Sequence, residues 1–321
     1  MKILLTTYQG LENLLIEQLN KLKIKDIKSI SKQKIIVECT TKSLEEIKNK
    51  IRIITDINEL IFYFNYKSPE DIKTQIGLYD FKDLIVDGFV VRINRNNNKE
   101  IQTTPLESQV GEILYKKYQK KVSLKSPNIT IFLDITKDMC FVCLKKDSQD
   151  IKKRDYKIKT HKQDISGPLA CAIIHLSGYK KGKTLIDPYA NIGTLLIEAS
   201  LISKDKVYAI ESSYKTAKDL EINASIAKLK NKIIIYNKQS KIKNRKFDFI
   251  ITQPPKSLDI RQVIKDINKL SKSTSNIILI LKDFILNNEN EKDYKLNIYN
   301  FHKIIVGKTI YTILICNQKK S

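Results

Sequence analysis

Two short stretches of this chain hold residue types and spacings suited to chemistry. The first, FDFIITQPPK (Phe247 to Lys256), is an apolar run that stops at two consecutive prolines. Proline brings no amide hydrogen to a sheet and pins its own φ, so Pro254 and Pro255 must stand just past the last ladder bond of a buried strand. They make a stiff exit that fixes the Gln253 amide at its mouth, with Lys256 beyond it. In an open α/β sheet the carboxyl ends of the strands are where ligands bind. A rigid turn without chemistry is the plain alternative. The second stretch, DPYANIGTLLIEAS (Asp187 to Ser200), reads as a strand, a loop with Gly193, and a helix carrying Glu198. A glycine in such a loop lets a ligand approach the backbone, and the helix N-terminus supplies free amides for a carboxylate or a sugar. An ordinary βα turn accounts for the pattern equally well. CFVC, Cys140 to Cys143, has metal-knuckle spacing, but it sits in the strand-like MCFVCLK with no second CxxC or His pair after it. Residues three apart in a strand face opposite sides, so no metal site is expected there.

The elements that must position these groups alternate in the C-terminal half. KTLIDPY precedes a helical pattern from Ile192 to Ser203, KVYAI precedes one from Ser213 to Leu229, and NKIIIYN and FDFIITQ precede one from Ile260 to Leu270, before NIILILK. Strands alternating with helices mean crossover units and a mostly parallel sheet. The final two runs, KIIVG and TIYTILIC, are joined by Gly307 and Lys308 as a two-residue hairpin, so the sheet closes with an antiparallel strand. Seven strands in this order resemble the outline of a Rossmann-like α/β domain. The N-terminal half differs. KILLTTY, a helix over 11–22, KSISKQKIIVECT, a helix over 44–54 and ELIFYFNYK make a small α+β unit of ferredoxin-like kind. GFVVRINR, a helix opening near Pro105 and a hairpin of NITIFLDIT with MCFVCLKK make a second unit. A polar stretch then leads to the C-terminal half.

Lys plus Arg outnumber Asp plus Glu by 58 to 35, a formal net charge of +23, which favours a polyanionic partner and nucleic acid first. The arginines are Arg52, Arg92, Arg95, Arg154, Arg245 and Arg261 alone, so lysine point charges on phosphates are expected rather than bidentate reading of bases. No segment reaches the roughly 18 apolar residues of a membrane span. The opening MKILLTTYQGLENLL turns polar too early for a signal peptide, so a cytoplasmic protein without a membrane partner is expected. Five scattered cysteines do not form a disulfide framework.

The motifs carry a resemblance. DPYANIGTLLIEA resembles the DP, GSGT and IEA pattern of S-adenosylmethionine-dependent RNA methyltransferases, and TQPPK resembles their NPPY or DPPY motif. TTYQGLENLLIEQL looks like the opening of the THUMP-containing branch, SQVGEILYKKYQKKVSLKSPNITIFLDI like its THUMP core, and KKRDYKIKTH like its linker. The resemblance covers nearly the whole chain. It implies a ferredoxin-like domain over 1–65, a THUMP RNA-binding domain over 66–150, a linker over 151–164 and a Rossmann-fold methyltransferase domain over 165–321. It also implies transfer of a methyl group from S-adenosylmethionine to the exocyclic amine of a guanine in tRNA. Asp187 and Gly193, with Asn191 between them, would bracket the methionine end of the cofactor. Glu211 would accept from its ribose hydroxyls, and Gln239 would stand beside the adenine amine. Gln253 and Pro254, ahead of Pro255 and Lys256, would accept hydrogen bonds from the target amine. The chain departs from the pattern at four places: Asn191 and Ile192 replace Gly and Ser, Gln239 replaces Asp, Gln253 replaces Asn or Asp, and Lys256 replaces an aromatic. These leave a second reading, a non-catalytic RNA-binding protein or a subunit of a methyltransferase complex.

Overall fold

The computed structural model describes residues 1–96, 98–145, 150–242, 244–284 and 296–318. The chain forms two compact units, and neither is one stretch of sequence. The first takes Met1–Thr6, Lys23–Glu45 and Asp56–Asp150; the second takes Thr7–Leu22, Glu46–Thr55 and Ile151–Ser321.

The first unit is built on a mixed seven-stranded sheet. Its strands are β1 (Lys2–Thr6), β2 (Asp26–Ser31), β3 (Lys34–Glu38), β4 (Asp56–Asn65), β5 (Phe89–Asn94), β6 (Ile129–Ile135) and β7 (Met139–Lys145). The order is β2-β3-β1-β4-β7-β6-β5, and only β5 and β6 run parallel. Pairing of β4 with β7 makes the sheet continuous across residue 66. Helix α1 (Glu12–Lys21) lies in the second unit, and α2 covers Thr41–Lys50. The expected helix over 44–54 therefore begins and ends earlier, and Ile51, Ile53 and Ile54 beyond its end are all buried. Helices α3 (Pro69–Leu78), absent from the sequence reading, and α4 (Thr103–Tyr118) bury Ile72, Ile76, Val110 and Leu114 against one face of the sheet. Ser68 and Asp71 cap α3 reciprocally, with Pro69 at its first position. Cys140 joins that core, whereas Cys143 joins a separate cluster with Leu4, Leu60 and Phe141, as period-two geometry requires.

The second unit holds a sheet of β8 (Leu185–Asp187), β9 (Val207–Ile210), β10 (Ile233–Tyr236), β11 (Phe247–Thr252), β12 (Ser271–Lys282), β13 (Leu296–Val306) and β14 (Thr309–Gln318). The order is β10-β9-β8-β11-β12-β14-β13, with five parallel strands and β14 antiparallel to both of its neighbours. The β13–β14 hairpin turns at Gly307 and Lys308, where Gly307 takes φ +61, as the sequence anticipates. Helices α5 (Gly167–Leu176), α6 (Thr194–Ser203), α7 (Tyr214–Ile226) and α8 (Ile260–Leu270) complete the unit. From β8 the chain runs outward through β9 to β10, then returns to lay β11 on the other side of β8. Connections diverge at that point and open a crevice over the carboxyl ends of β8 and β11.

One buried ion pair in the first unit yields a test of its stability. Lys34, on β3, and Asp134, on β6, are each 1 % exposed and hydrogen-bonded to one another; Lys34 also donates to Thr6 Oγ1 at 3.0 Å. Asn94 Nδ2 donates to Asp134 at 3.1 Å. Lys34→Met strands a buried carboxylate and is expected to cost about 3–5 kcal/mol in urea denaturation, whereas Lys34→Met with Asp134→Leu recovers most of that loss.

Candidate active site

A cleft of about 1030 Å³ lies over the crevice between β8 and β11, and its walls come from the second unit alone. At its floor Asp187, the last residue of β8, is 2 % exposed. Its Oδ1 accepts from Thr252 Oγ1 at 2.5 Å, across the pairing of β8 with β11, and from the Tyr189 amide at 3.0 Å. Burial pushes the Asp187 carboxyl up to about 7, against the pull of the Thr252 and Tyr189 hydrogen bonds, and the charge of Glu211 adds to the rise. A second buried carboxyl, Asp164, lines the cleft beside it. Burial raises its pKa, while the Lys157 ammonium and Thr194 Oγ1, at 2.9 Å, both bonded to it, hold that rise back.

The loop after β8 answers the question raised by its departures from the family pattern. Ile192 is 1 % exposed and turned into the core, so it does not project into the cleft. Gly193 caps α6 at φ +79, and a Cβ there would stand 2.6 Å from Leu220 Cγ on α7. It is not among the residues lining the cleft, and both its left-handed backbone and the approach of α7 call for a glycine. Asn191 does line the cleft, at φ +50. Its Nδ2 meets His161 Nδ1 at 3.4 Å, and its Oδ1 is buried without a partner.

Glu211 follows β9 and reaches the cleft, where Oε1 accepts from the Ser213 amide at 2.8 Å. Ser213 itself caps α7, so Glu211 is not the cap. Gln239 sits in the short turn after β10 and donates from Nε2 to the Asp266 carbonyl on α8 at 2.8 Å. At the double proline, Pro254 and Pro255 lie outside the β11 ladder and line the cleft, as expected for an exit from the sheet. Gln253 donates from Nε2 to the Gln163 carbonyl at 3.1 Å. A carbonyl only accepts, so the amide NH2 must face it and Oε1 must turn away, a free acceptor among the described residues. Lys256 is exposed and pairs with Asp283 at 3.0 Å across the mouth.

The two departures at Asn191 and Gln253 thus meet one short segment. His161 Nδ1 also receives the Gln163 amide at 3.4 Å, and the Gln163 carbonyl receives Gln253. Sequence reading passed over this segment because it lies in a polar stretch without periodicity. It also missed Asp266 and Tyr189, whose hydroxyl donates to Asp266 Oδ2 at 3.2 Å, and Phe284, which lines the cleft after β12. Tyr189 lies inside the motif that was read, so its signal was present; Asp266 had none beyond its place on an amphipathic helix.

Comparison with known proteins bears on this arrangement directly. Residues 154–276 match the family model described as UPF0020, RMKL-like, methyltransferase domain, and residues 66–145 match the THUMP domain. The chain carries a THUMP domain followed by an RMKL-like methyltransferase domain. The methyltransferase match takes in every cleft residue from Asp164 to Asp266 and stops short of Asp283 and Phe284. Ribosomal RNA large subunit methyltransferase K/L of Buchnera aphidicola subsp. Schizaphis graminum is 27 % identical over 209 residues, 63 % of this chain and 30 % of that protein. The tRNA (guanine(6)-N2)-methyltransferase of Archaeoglobus fulgidus is 21 % identical over 178 residues, 53 % of this chain and 45 % of that protein. Both matches span less than half the length of the relative. The crystal structure of TrmN from Thermus thermophilus shares the fold at a TM-score of 0.76 and 17 % identity, over 99 % of each chain. Among the described residues no helix is long and apolar enough to cross a membrane.

The buried Asp187 at the floor of the methyltransferase domain's cleft sets a pH dependence. Between the ordinary aspartate range and about pH 7 the folded chain keeps a proton that the unfolded chain has released, so stability falls as pH rises through that window. Asp187→Asn retains an oxygen for Thr252 and Tyr189 and has no proton to lose. Urea midpoints compared at about pH 5 and about pH 8 should decline less in Asp187→Asn than in the wild type, and equal declines would place the titration elsewhere.

Proposed function

We propose that the protein transfers a methyl group from S-adenosylmethionine to the exocyclic N2 amine of a guanine in tRNA. The observation that carries this reading is the orientation of Gln253. Held by the Gln163 carbonyl behind it and by the two prolines after it, the side chain presents Oε1 outward at the carboxyl end of β11. An acceptor fixed there takes a hydrogen bond from an incoming amine N–H and aligns the nitrogen lone pair, and the Pro254 carbonyl is available as a second acceptor. Gln253 restores with one more methylene the amide that the family pattern supplies as Asn. The segment from His161 to Gln163 supplies the contact that fixes its longer arm.

The cleft fits the cofactor on its own chemistry. A buried carboxyl at Asp187 and an unpartnered buried acceptor at Asn191 Oδ1 call for a cationic donor, which the amino acid end of the cofactor provides. Glu211 has an oxygen beyond the one given to Ser213, suited to a ribose diol. Bound there, S-adenosylmethionine would supply an electrophilic methyl group on a sulfonium. Cleft volume is at the upper end for a ligand of that size, leaving room for a flipped base, and Phe284 is an aromatic lining residue where Lys256 no longer is one. The THUMP domain and the net charge of +23 supply the RNA partner, held through lysine contacts to phosphates. One observation favours the second reading, an RNA-binding protein without transfer: the Lys256–Asp283 pair spans the mouth at the place of the family's aromatic.

A single experiment separates the two. With labelled cofactor and unmodified tRNA, single-turnover transfer followed by nucleoside analysis should yield N2-methylguanine. Gln253→Ala should slow transfer about 100-fold while tRNA affinity stays unchanged, the mark of an interaction made in the transition state. Glu211→Ala should instead weaken cofactor binding, by about tenfold. A wild type that binds tRNA and transfers nothing, with or without the substitution, establishes the non-catalytic reading.

A further inference from the structure

We infer that Asp266 on α8, together with Gln239 Oε1, reads the exocyclic amine of the cofactor's base, a task the family pattern places on an Asp at position 239. The inference rests on the reading that this cleft takes S-adenosylmethionine. Gln239 gives its NH2 to the Asp266 carbonyl, at 2.8 Å. Its Oε1 is thereby turned the other way, with no partner among the described residues. The Asp266 carboxylate brings acceptors only. Oδ2 receives the Tyr189 hydroxyl at 3.2 Å, Oδ1 receives Gln262 Nε2 at 3.0 Å, and the Lys269 ammonium stands 3.6 Å from Oδ1.

Each carboxylate oxygen has two lone pairs, and the carboxylate still has room for a donor from the cleft that Gln239, Tyr189 and Asp266 all line. Tyr189 acts as an anchor from the loop after β8, so the carboxylate is aimed by a residue of the cofactor loop rather than left to rotate. Val263, one helical turn before Asp266, and Ile210, at the end of β9, line the cleft and give a flat base apolar faces. Two acceptor groups on the lining of one cleft suit a group with two hydrogens to give. An exocyclic amine is such a group. A keto oxygen at the same position would meet the carboxylate with lone pair against lone pair and bring it no donor. The substitution of Asp by Gln at position 239 is therefore compensated from the facing helix, and the negative charge has moved rather than vanished.

The test measures binding of S-adenosylhomocysteine and S-inosylhomocysteine to the full chain by calorimetry, without reference to turnover. The wild type should prefer the adenosyl compound by at least about 30-fold, the range of a charge-assisted hydrogen bond. Asp266→Asn, which removes the charge and offers a donor in its place, should bring the ratio to within about threefold of unity. Tyr189→Phe, which keeps the ring and releases the carboxylate, should give an intermediate ratio. Asp266→Asn with the wild-type preference, or a wild type without preference, overturns the assignment; should Asp266→Asn fail to fold, an unchanged ratio in Tyr189→Phe overturns it as well. A wild type that binds neither compound overturns the cofactor reading itself, and this inference with it.

Discussion

The second unit is organised around one carboxylate that never meets water. Glu198, on α6, is 0 % exposed and accepts from Arg52 Nε at 3.0 Å, Arg52 Nη2 at 2.9 Å, Arg154 Nε at 2.9 Å and the Tyr156 hydroxyl at 2.8 Å. A buried charge is tolerable only when its lone pairs are filled, and here four donors from two distant segments fill them. Burial and the charge of Glu198 both keep the Tyr156 phenol protonated, so it serves as a donor at any ordinary pH. Arg154 reaches further, donating to the Arg52 carbonyl at 2.5 Å and the Ile151 carbonyl at 3.0 Å. Its side chain passes so close to Gly167 that a Cβ there would lie 2.5 Å from Arg154 Cγ. The stretch over 151–164 is thereby folded onto α6 and α5 rather than left as a tether. Everything at the cleft's floor hangs from that clamp, because α6 carries the loop of Asp187 to Gly193 at its start, and the clamped segment continues into His161 and Gln163.

Charge is distributed in two opposite senses. The chain as a whole carries +23, yet the cleft is lined by Asp164, Asp187, Glu211, Asp266 and Asp283. Lys238, Lys256 and Lys282 reach the cleft too, Lys238 and Lys256 from exposed positions and Lys282 from a half-buried one. The deeper acids are the buried ones. A polyanion is thus drawn to the surface while the interior of the cleft favours a cation, and the two fields do not compete because burial separates them in dielectric.

The mostly parallel sheet with its antiparallel close and the double-proline exit were legible because apolar runs of strand length alternate with helical patterns from Lys183 onward, and because proline cannot enter a ladder. A minority of the cleft residues, Asp187, Asn191, Glu211, Gln239 and the four from Gln253 to Lys256, were named in advance through the family resemblance. What could not be read was compensation. Gln253 looks displaced by one methylene until the Gln163 carbonyl is seen behind it, and Gln239 looks like a lost charge until Asp266 appears opposite. Both partners lie in stretches whose patterns say only polar segment or amphipathic helix, and no local signal links residues 90 or 27 positions apart. Ile192 failed in the other direction: beside a glycine in a ligand loop it reads as an intruder, but the left-handed turn at Asn191 and Gly193 rotates it into the core.

The interleaving of the two units has a bearing on how the chain is made. Residues 7–22 and 46–55 leave the ribosome early, yet they belong to a body whose sheet is not synthesised until after residue 185. Arg52 waits for Glu198, 146 positions downstream, before its guanidinium has a partner. At 5 to 20 residues per second that interval is on the order of ten seconds, during which Ile51, Ile53 and Ile54 have no completed core to enter. The methyltransferase domain is therefore not an excisable module: a cut near residue 150 would remove one of the two arginines that neutralise its buried acid, along with α1. Any shuffling of this domain onto another partner would have to carry those two N-terminal pieces with it.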